Sequence, residues 1–163
     1  MADAIYTSQL QAHCDRFEAA LPAYMPATGG LQTVVAEAMA YACEGGGKRI
    51  RGFLTIHFCR LFGGTDAASL PFACAMEMVH AYSLIHDDMP CMDNSPLRRG
   101  KPAVHAAFGE DMALLAGDAL LTFAFETMLS NTTLSTVPAA RTAVAAGVLA
   151  RAAGVYGMVG GQT

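Results

Sequence analysis

Apolar residues recur at the spacing of an α-helix along almost the whole chain, and glycines or prolines separate the segments that show this pattern. Alternating runs of Val, Ile and Thr joined by Asn-Gly turns, which are typical of β-strands, are absent. The pattern therefore predicts an all-α fold of about seven helices with short connections, which is the organisation of a helical bundle. The predicted helices cover residues 3–21, 31–43, 50–62, 67–89, 103–108, 110–129 and 138–158.

Residues that start or stop helices set these boundaries. Gly45 and the two glycines after it end the second helix, and Asp66 is predicted to cap the N-terminus of the long helix that follows it. Pro138 is a suitable first residue for the last helix, because its missing amide would be unpaired there anyway. The polar segments 90–102 and 131–135 are predicted to be loops.

The composition is too apolar for a disordered chain and unusual for one exposed to water on all sides. Of the 163 residues, 53% are apolar and 15% are charged, whereas about 25% of an average soluble domain is charged. The helices are apolar on more than one face, so a partner subunit or a further stretch of chain is expected to cover part of the surface. No run approaches the ~18 uninterrupted apolar residues of a membrane-spanning helix, which argues against a membrane span.

The net charge and the cysteines limit which classes of function and which cellular compartment are expected for this protein. The net charge is −4, so a nucleic-acid-binding surface is not expected. The five cysteines form no CxxC pair and fall within apolar patterns, which favours reduced thiols. The N-terminus shows neither a secretory signal nor a transit peptide, and the cytoplasm is the predicted location.

Three aspartates stand close together where the long helix is predicted to end: Asp87, Asp88 and Asp93. A solvated helix face is one interpretation of the acids alone. Adjacent carboxylates repel each other unless a cation neutralises them, and oxygen ligands of this kind favour Mg²⁺ over Zn²⁺. On an ideal helix Asp93 would point away from Asp87, so Pro90 is predicted to break the helix and let Asp93 turn back. His80 lies on the same helix stripe as Asp87.

Six of the ten basic residues fall into two clusters, although the protein is acidic. The first cluster, within residues 48–51, follows three glycines at a predicted helix N-terminus, where free amides favour a phosphate group. It is not a Walker loop, because the spacing of the glycines, the hydroxyl residue and the preceding strand of that motif are missing. The second cluster, within residues 98–101, contains paired arginines, which can each hold phosphate oxygens through two hydrogen bonds. Either cluster alone could be a basic surface, but together with the aspartates they indicate a site for a diphosphate and Mg²⁺.

The chain resembles the trans polyprenyl diphosphate synthases, in particular the bacterial farnesyl and geranylgeranyl diphosphate synthases, in the segments GGGKRIRGFL, HAYSLIHDDMPCMDNSPLRRGKPAVH, GDALL and GGQ. The joint pattern is specific, and the aspartate-rich segment with its Arg-Arg-Gly is the strongest part. The resemblance implies an isoprenoid-synthase-type helical bundle, of which residues 1–163 form the N-terminal portion of a single prenyltransferase domain. It also implies Mg²⁺-dependent condensation of isopentenyl diphosphate with an allylic diphosphate, dimethylallyl or geranyl diphosphate, in a homodimer.

The resemblance assigns a role to each matching residue. Asp87 and Asp93 would bind Mg²⁺ that bridges the allylic diphosphate, with Asp88 as a ligand or a supporting residue, and Arg98 would hold the same diphosphate. These cations would stabilise the diphosphate that leaves when the allylic C–O bond ionises, so no side-chain nucleophile is needed. Isopentenyl diphosphate would be held by a second group, formed by Gly47, Lys48, Arg51, His80 and Arg99.

Product length would depend on residues deeper in the same helix. Tyr82 and Ser83 lie five and four positions before Asp87, which is roughly 6 to 7.5 Å along the helix. An aromatic residue there would close the bottom of the product pocket. In similar proteins such a residue accompanies a C15 product, which favours farnesyl over geranylgeranyl diphosphate. As a plain core residue, Tyr82 would instead bond its hydroxyl to the backbone.

The resemblance is incomplete, because the second aspartate-rich motif of these enzymes does not occur in the sequence. It therefore implies a bundle truncated before that motif, and we expect these 163 residues to be inactive alone. A non-catalytic subunit that binds diphosphates is an alternative hypothesis. A terpene cyclase is another, but it has no use for a second diphosphate pocket at Lys48, Arg51 and His80.

Overall fold

The structure, a computed structural model, describes residues 2–44, 46–134 and 137–162. Helices dominate it, and the predicted all-α fold class is confirmed. A short 3₁₀ turn, Leu21–Tyr24, follows the first helix. The α-helices of the described residues are α1 (Ala2–Ala20), α2 (Thr33–Cys43), α3 (Ile50–Leu61), α4 (Asp66–Asp87), α5 (Val104–Phe108), α6 (Glu110–Leu134), α7 (Ala139–Ala153) and α8 (Met158–Gly161).

The core lies between α4 and α6, which make the most extensive helix contact among the described residues. Four residues of α6, Ala113, Ala116, Leu120 and Ala124, have no exposed surface, and their spacing places them on one helix face. α3 packs on α4, while α2 and α5 pack against α6. Small side chains allow the helix axes to approach closely, so the packing holds α4 along its length and positions its C-terminal end.

The segment 90–102, predicted to be an irregular loop, contains a short β-hairpin. β1 (Leu97–Arg98) pairs antiparallel with β2 (Lys101–Pro102), so the expectation of no strands was wrong here. Arg99 and Gly100 form the turn with φ angles of 53° and 78°, a combination that closes a two-residue hairpin. Strands of two residues are too short to show an alternating pattern in the sequence.

Two predicted helix boundaries were wrong because side chains bond differently from the expectation. Thr65 caps α4 in place of Asp66, since the Thr65 hydroxyl accepts the amide of Ala68 at 3.3 Å. The Asp66 carboxylate instead pairs with Arg60. The predicted loop over 131–135 is helical through residue 134, and Asn131 is buried and donates to the Ala68 carbonyl oxygen at 3.1 Å.

The last predicted helix, 138–158, is divided in the structure. α7 ends at Ala153, and α8 forms a separate turn. A Cβ on Gly157 would lie 2.0 Å from the Ala152 carbonyl oxygen, so only glycine lets the chain fold this closely against the end of α7. The predicted stop at Gly45 and the predicted loop residue Ser135 lie outside the described residues.

Apolar side chains remain exposed on the bundle, among them Leu61 and Phe62 at the end of α3 and Val144 and Val148 on α7. Two described stretches, Glu110–Asn131 and Ala139–Gly161, are long and apolar enough to cross a membrane by length and composition alone. The first belongs to α6, the partner of α4 in the core, and a core helix meets the same criterion. The absence of a membrane span stays a prediction.

Candidate functional site

The chain turns back on itself directly after α4. α4 ends at Asp87, and the amide of Asp93 donates to the Asp87 carbonyl oxygen at 2.8 Å. Further backbone hydrogen bonds of 3.0 and 3.1 Å close the loop over residues 88–95, which contains Pro90. The predicted break at Pro90 is thus confirmed, and the loop returns Asp93 to the end of α4.

Asp87 and Asp93 form an electrostatically coupled pair. Partial burial and the negative charge of Asp93 raise the pKa of Asp87 above its ordinary value. The side-chain amide of Gln162 donates to Asp87 Oδ1 at 2.9 Å, so residues far apart in the sequence meet here. A carboxylate whose charge is disfavoured in this way gains from a cation bound between the pair.

Asp88 differs from Asp87 and Asp93, because it is buried and already forms an ion pair with Arg98. Its side chain is 3% exposed, and both carboxylate oxygens accept hydrogen bonds from the Arg98 guanidinium, with 2.9 Å between Nε and Oδ2. The hydrogen bonds raise the pKa of Arg98 and hold its side chain at the end of β1. Of the two roles expected for Asp88, the geometry favours support of Arg98 over direct metal binding.

The carboxylate pair fits Mg²⁺ better than a metal held by protein ligands alone. Among the described residues, no group of three or more His, Cys, Asp or Glu side chains is arranged to hold a metal ion. Mg²⁺ commonly takes one or two carboxylates and completes its shell with substrate phosphates and water. Asp87 and Asp93 match that ligand set, provided that a diphosphate supplies the other oxygens.

A second polar site is a cavity of about 290 Å³ between the N-terminus of α3 and the middle of α4. Burial and the nearby positive charge of Arg49 lower the pKa of Arg99, which shows that cations are crowded here. An anion would relieve that repulsion. Five of the residues that line this cavity are those predicted to share one diphosphate, namely Gly47, Lys48, Arg51, His80 and Arg99.

Gly47 allows Arg99 to lie against the loop before α3. Arg99 Nη1 donates to the Gly46 carbonyl oxygen, and a Cβ on Gly47 would lie only 2.6 Å from the same nitrogen. Gly47 also has a φ of 129°, which strains any residue with a side chain. The backbone at position 47 therefore favours glycine, and a side chain there would displace the end of the Arg99 side chain.

We expect Gly47→Ala to displace Arg99 and to weaken binding of inorganic diphosphate about tenfold, the effect of losing roughly one charge-assisted hydrogen bond. Isothermal titration calorimetry measures the affinity. Gly147→Ala on α7 is the matched control, since nothing lies within 4 Å of the added Cβ. Equal affinities of Gly47→Ala and the wild type would contradict the assignment.

His80 is half-buried, and burial followed by the positive charge of Arg51 lowers the pKa of its imidazole below 6.5. The unfolded chain then binds more protons than the folded one as the pH falls below about 6.5. The contribution of His80 to stability is therefore fully present at higher pH and is lost as the pH drops through this range. In the free cavity, His80 is neutral at pH 7.

A bound diphosphate should raise the His80 pKa, because it brings negative charge to the imidazole, and binding should therefore be accompanied by proton uptake below about pH 6.5. Calorimetry in two buffers of different ionisation enthalpy gives the number of protons exchanged. We expect His80→Asn to take up fewer protons than the wild type under the same conditions, because the titration of the ligand itself is common to both. Equal uptake would show that His80 does not face the ligand.

An ion-pair network beside this cavity was not predicted from the sequence. Arg49 is buried and pairs with Glu18 at 2.6 Å and with Glu77 at 3.6 Å. Its guanidinium also lies 5.6 Å from the centre of the Phe17 ring. The signal was present in part, since Glu77 is a charged residue within an apolar helix and Arg49 belongs to the first basic cluster.

The predicted product-length residues lie inside α4. Tyr82 is buried, and its ring lies 5.8 Å from that of His86. Its hydroxyl has no hydrogen-bond partner among the described residues, so the backbone bond expected of a plain core tyrosine is not formed within them. The Ser83 hydroxyl donates to the His80 carbonyl oxygen at 2.9 Å.

The chain matches the polyprenyl synthetase family over residues 32–153, which include both polar sites apart from Gln162. The chain belongs to the polyprenyl synthetase family. This match confirms the resemblance that the sequence motifs indicate, and the helical fold agrees with it.

Relatives of this family carry more than one product name. The chain is 53% identical over 126 residues to farnesyl diphosphate synthase of Geobacillus stearothermophilus, an alignment that covers 77% of this chain and 42% of the relative. It is 56% identical over 126 residues to heterodimeric geranylgeranyl pyrophosphate synthase large subunit 1, chloroplastic, of Arabidopsis thaliana, covering 77% and 34%. The apo crystal structure of an FPP/GFPP synthase from Zymomonas mobilis superposes with a TM-score of 0.89 at 42% identity, covering 99% of this chain and 57% of that one. The chain thus spans less than two thirds of these relatives' length.

Proposed function

We propose that the chain supplies the paired diphosphate sites of a Mg²⁺-dependent prenyltransferase. Its substrates are isopentenyl diphosphate and an allylic diphosphate, either dimethylallyl or geranyl diphosphate. The observation that carries the proposal is the hairpin between the two sites: Arg98 bonds to Asp88 beside the carboxylate pair, while the next residue, Arg99, lines the cationic cavity. Arg98 ends β1 and Arg99 begins the turn, so one hairpin can serve two diphosphates.

The arrangement suits ionisation of an allylic C–O bond. Mg²⁺, when bound, supplies positive charge to the leaving diphosphate. Asp87 and Asp93 would hold the ion, and Arg98, oriented by Asp88, would donate to the same diphosphate. The side chains thus stabilise the negative charge that develops as the bond breaks.

The cationic cavity suits the second substrate. Lys48, Arg51 and Arg99 would hold the isopentenyl diphosphate headgroup, and neutral His80 would add a hydrogen bond without a further charge. Held in this way, the double bond of that substrate can attack the allylic carbon, after which a proton is lost. Positioning of two bound substrates replaces a protein nucleophile.

Farnesyl diphosphate is the product that we assign to this site. The buried aromatic ring of Tyr82, little more than one turn before Asp87, supports a short pocket. Geranylgeranyl diphosphate is the alternative, because relatives with both names match the chain. We expect Tyr82→Ala, placed in an active enzyme, to shift the products toward longer chains, as measured by chromatography; an unchanged C15 product would contradict this role.

Turnover is assigned to an assembly larger than these 163 residues. The described residues hold no group of three or more His, Cys, Asp or Glu side chains arranged for a metal ion, and the curated relatives are more than twice as long as their matched stretches. We infer that the active form is a homodimer of longer chains in the cytoplasm. A non-catalytic diphosphate-binding subunit is the second candidate, and the short coverage of the relatives is the observation that favours it.

A chimera tests these functions against each other. The chain replaces the matching part of the Geobacillus stearothermophilus farnesyl diphosphate synthase, and product formation from labelled isopentenyl diphosphate and geranyl diphosphate is measured with Mg²⁺. We expect farnesyl diphosphate from the chimera and no product from the 163 residues alone. A folded chimera that binds both substrates without turnover would support the non-catalytic subunit instead.

A further inference from the structure

Glu77 is a buried carboxylate in the wall of the cationic cavity. Its side chain is 5% exposed, and it lines the cavity together with Lys48 and Arg51. Oε1 accepts a hydrogen bond from the Gly52 amide at 2.9 Å, and Oε2 lies 3.6 Å from Nη1 of Arg49. Its two oxygens therefore contact residues on both sides of Arg51.

The contact with Gly52 completes the N-terminus of α3. The Gly52 amide lies in the first turn, where helix amides have no partner within the helix itself. Arg49, the residue before α3, makes no side-chain cap. A carboxylate from α4 takes that role, and its negative charge suits the positive end of the helix.

The contact with Arg49 holds the loop before α3. Arg49 has a φ of 44°, a left-handed conformation that is unfavourable for a residue with a side chain. Its guanidinium also donates to Glu18 Oε1 at 2.7 Å and to the Cys43 carbonyl oxygen. Bonds to three separate parts of the chain thus fix the residue that lies between Lys48 and α3.

A negative charge in this wall is contrary to what a simple anion site needs, because it repels a diphosphate. The pairing with Arg49 offsets that repulsion without using Lys48, Arg51 or Arg99. The presence of the Glu77 carboxylate in this wall is therefore explained by its contacts with Arg49 and Gly52, because the carboxylate does not attract the ligand.

We propose that Glu77 is a positioning residue: through Arg49 and the first turn of α3, it holds Lys48 and Arg51 in the arrangement that receives a diphosphate. The inference rests on the proposed function of the cavity. The two roles predict opposite changes in diphosphate affinity. Simple electrostatics predicts that removal of the Glu77 charge tightens diphosphate binding, whereas loss of positioning weakens it.

The test is titration of the 163-residue chain with inorganic diphosphate, without metal, by isothermal titration calorimetry. We expect Glu77→Gln to raise the Kd about tenfold, although the variant gains positive charge. Hydrogen exchange of the Gly52 amide should become faster, because the hydrogen bond to Glu77 is weakened. The affinity of the Asp87–Asp93 pair for Mn²⁺ should stay unchanged, which general destabilisation would not allow.

Two further variants keep the result interpretable. Glu37→Gln on α2 removes an exposed carboxylate outside the cavity lining and should leave the Kd unchanged. The double variant Arg49→Met/Glu77→Leu removes both charges of the buried pair, and Glu18, which also loses its partner, is 36% exposed and stays hydrated. It should therefore fold even if Glu77→Gln does not. We expect the double variant also to bind diphosphate about tenfold more weakly.

An equal or tighter Kd in a folded Glu77→Gln or double variant would overturn the positioning role and leave the cavity's function intact. No binding of diphosphate by the wild-type chain would overturn the proposed function of the cavity, and this inference with it. The two failures are therefore distinguishable by the wild-type titration alone.

Discussion

Asp87→Asn is expected to weaken Mg²⁺-dependent diphosphate binding about 100-fold, or ~2.7 kcal/mol, and to abolish turnover in an active chimera. The substitution keeps the shape of the side chain but removes its charge, so Asp93 alone would face the cation. Burial and the negative charge of Asp93 raise the pKa of Asp87, so a cation bound at this point would favour the charged carboxylate. Titration with Mn²⁺ in the presence of inorganic diphosphate, followed by electron paramagnetic resonance, measures the effect.

Asp15→Asn provides the matched control for this substitution. Asp15 lies on α1, accepts a hydrogen bond from Gln11 at 2.8 Å, and loses the same charge far along the chain from the carboxylate pair. Its Mn²⁺ affinity should equal that of the wild type. If Asp87→Asn and Asp15→Asn behave alike, the carboxylate pair is not the metal site.

Leu120→Ala is expected to lower the free energy of unfolding by about 2–5 kcal/mol, the largest stability effect that we predict. Leu120 has no exposed surface and lies on the face of α6 that packs in the core with α4. The alanines around it are already small, so little surrounding volume can move into the cavity. Urea denaturation followed by circular dichroism measures the loss.

Leu129→Ala is the control on the same helix, with the same change in chemistry. Leu129 is 45% exposed, and we expect a loss of less than ~1 kcal/mol. Both substitutions change helix propensity equally, so the difference between their losses in free energy of unfolding reports the effect of burial in the core. Similar losses at both positions would mean that α4 and α6 do not form the central contact.

The helices could be predicted from the sequence because their signals are local. The spacing of apolar residues and the helix-ending glycines gave the end of α2 and the start of α3 correctly. The wrong end of α6 depends on a partner elsewhere in the fold. Asn131 extends α6 because its amide reaches the Ala68 carbonyl, and a pattern within 131–135 contains no information about that contact.

The same distinction applies to the candidate site. Residue types and spacing indicated the aspartate cluster, both basic clusters and the break at Pro90, because like charges close in sequence require a counter-charge wherever the chain folds. Only the tertiary structure separates their roles. It turns Asp88 inward to Arg98, brings Arg99 against Gly46, and joins Gln162 to Asp87.

The sequence by itself therefore determined the fold class, the family and which residues carry the charge of the site. The tertiary structure decided that Asp88 pairs with Arg98, that Arg99 lines the cavity before α3, and that Arg49 and Glu77 form a buried pair. The physical reason is the separation in sequence between the residues that interact. Helix periodicity and charge repulsion act between residues near in sequence, whereas burial and side-chain hydrogen bonds join residues whose proximity exists only after the helices have packed.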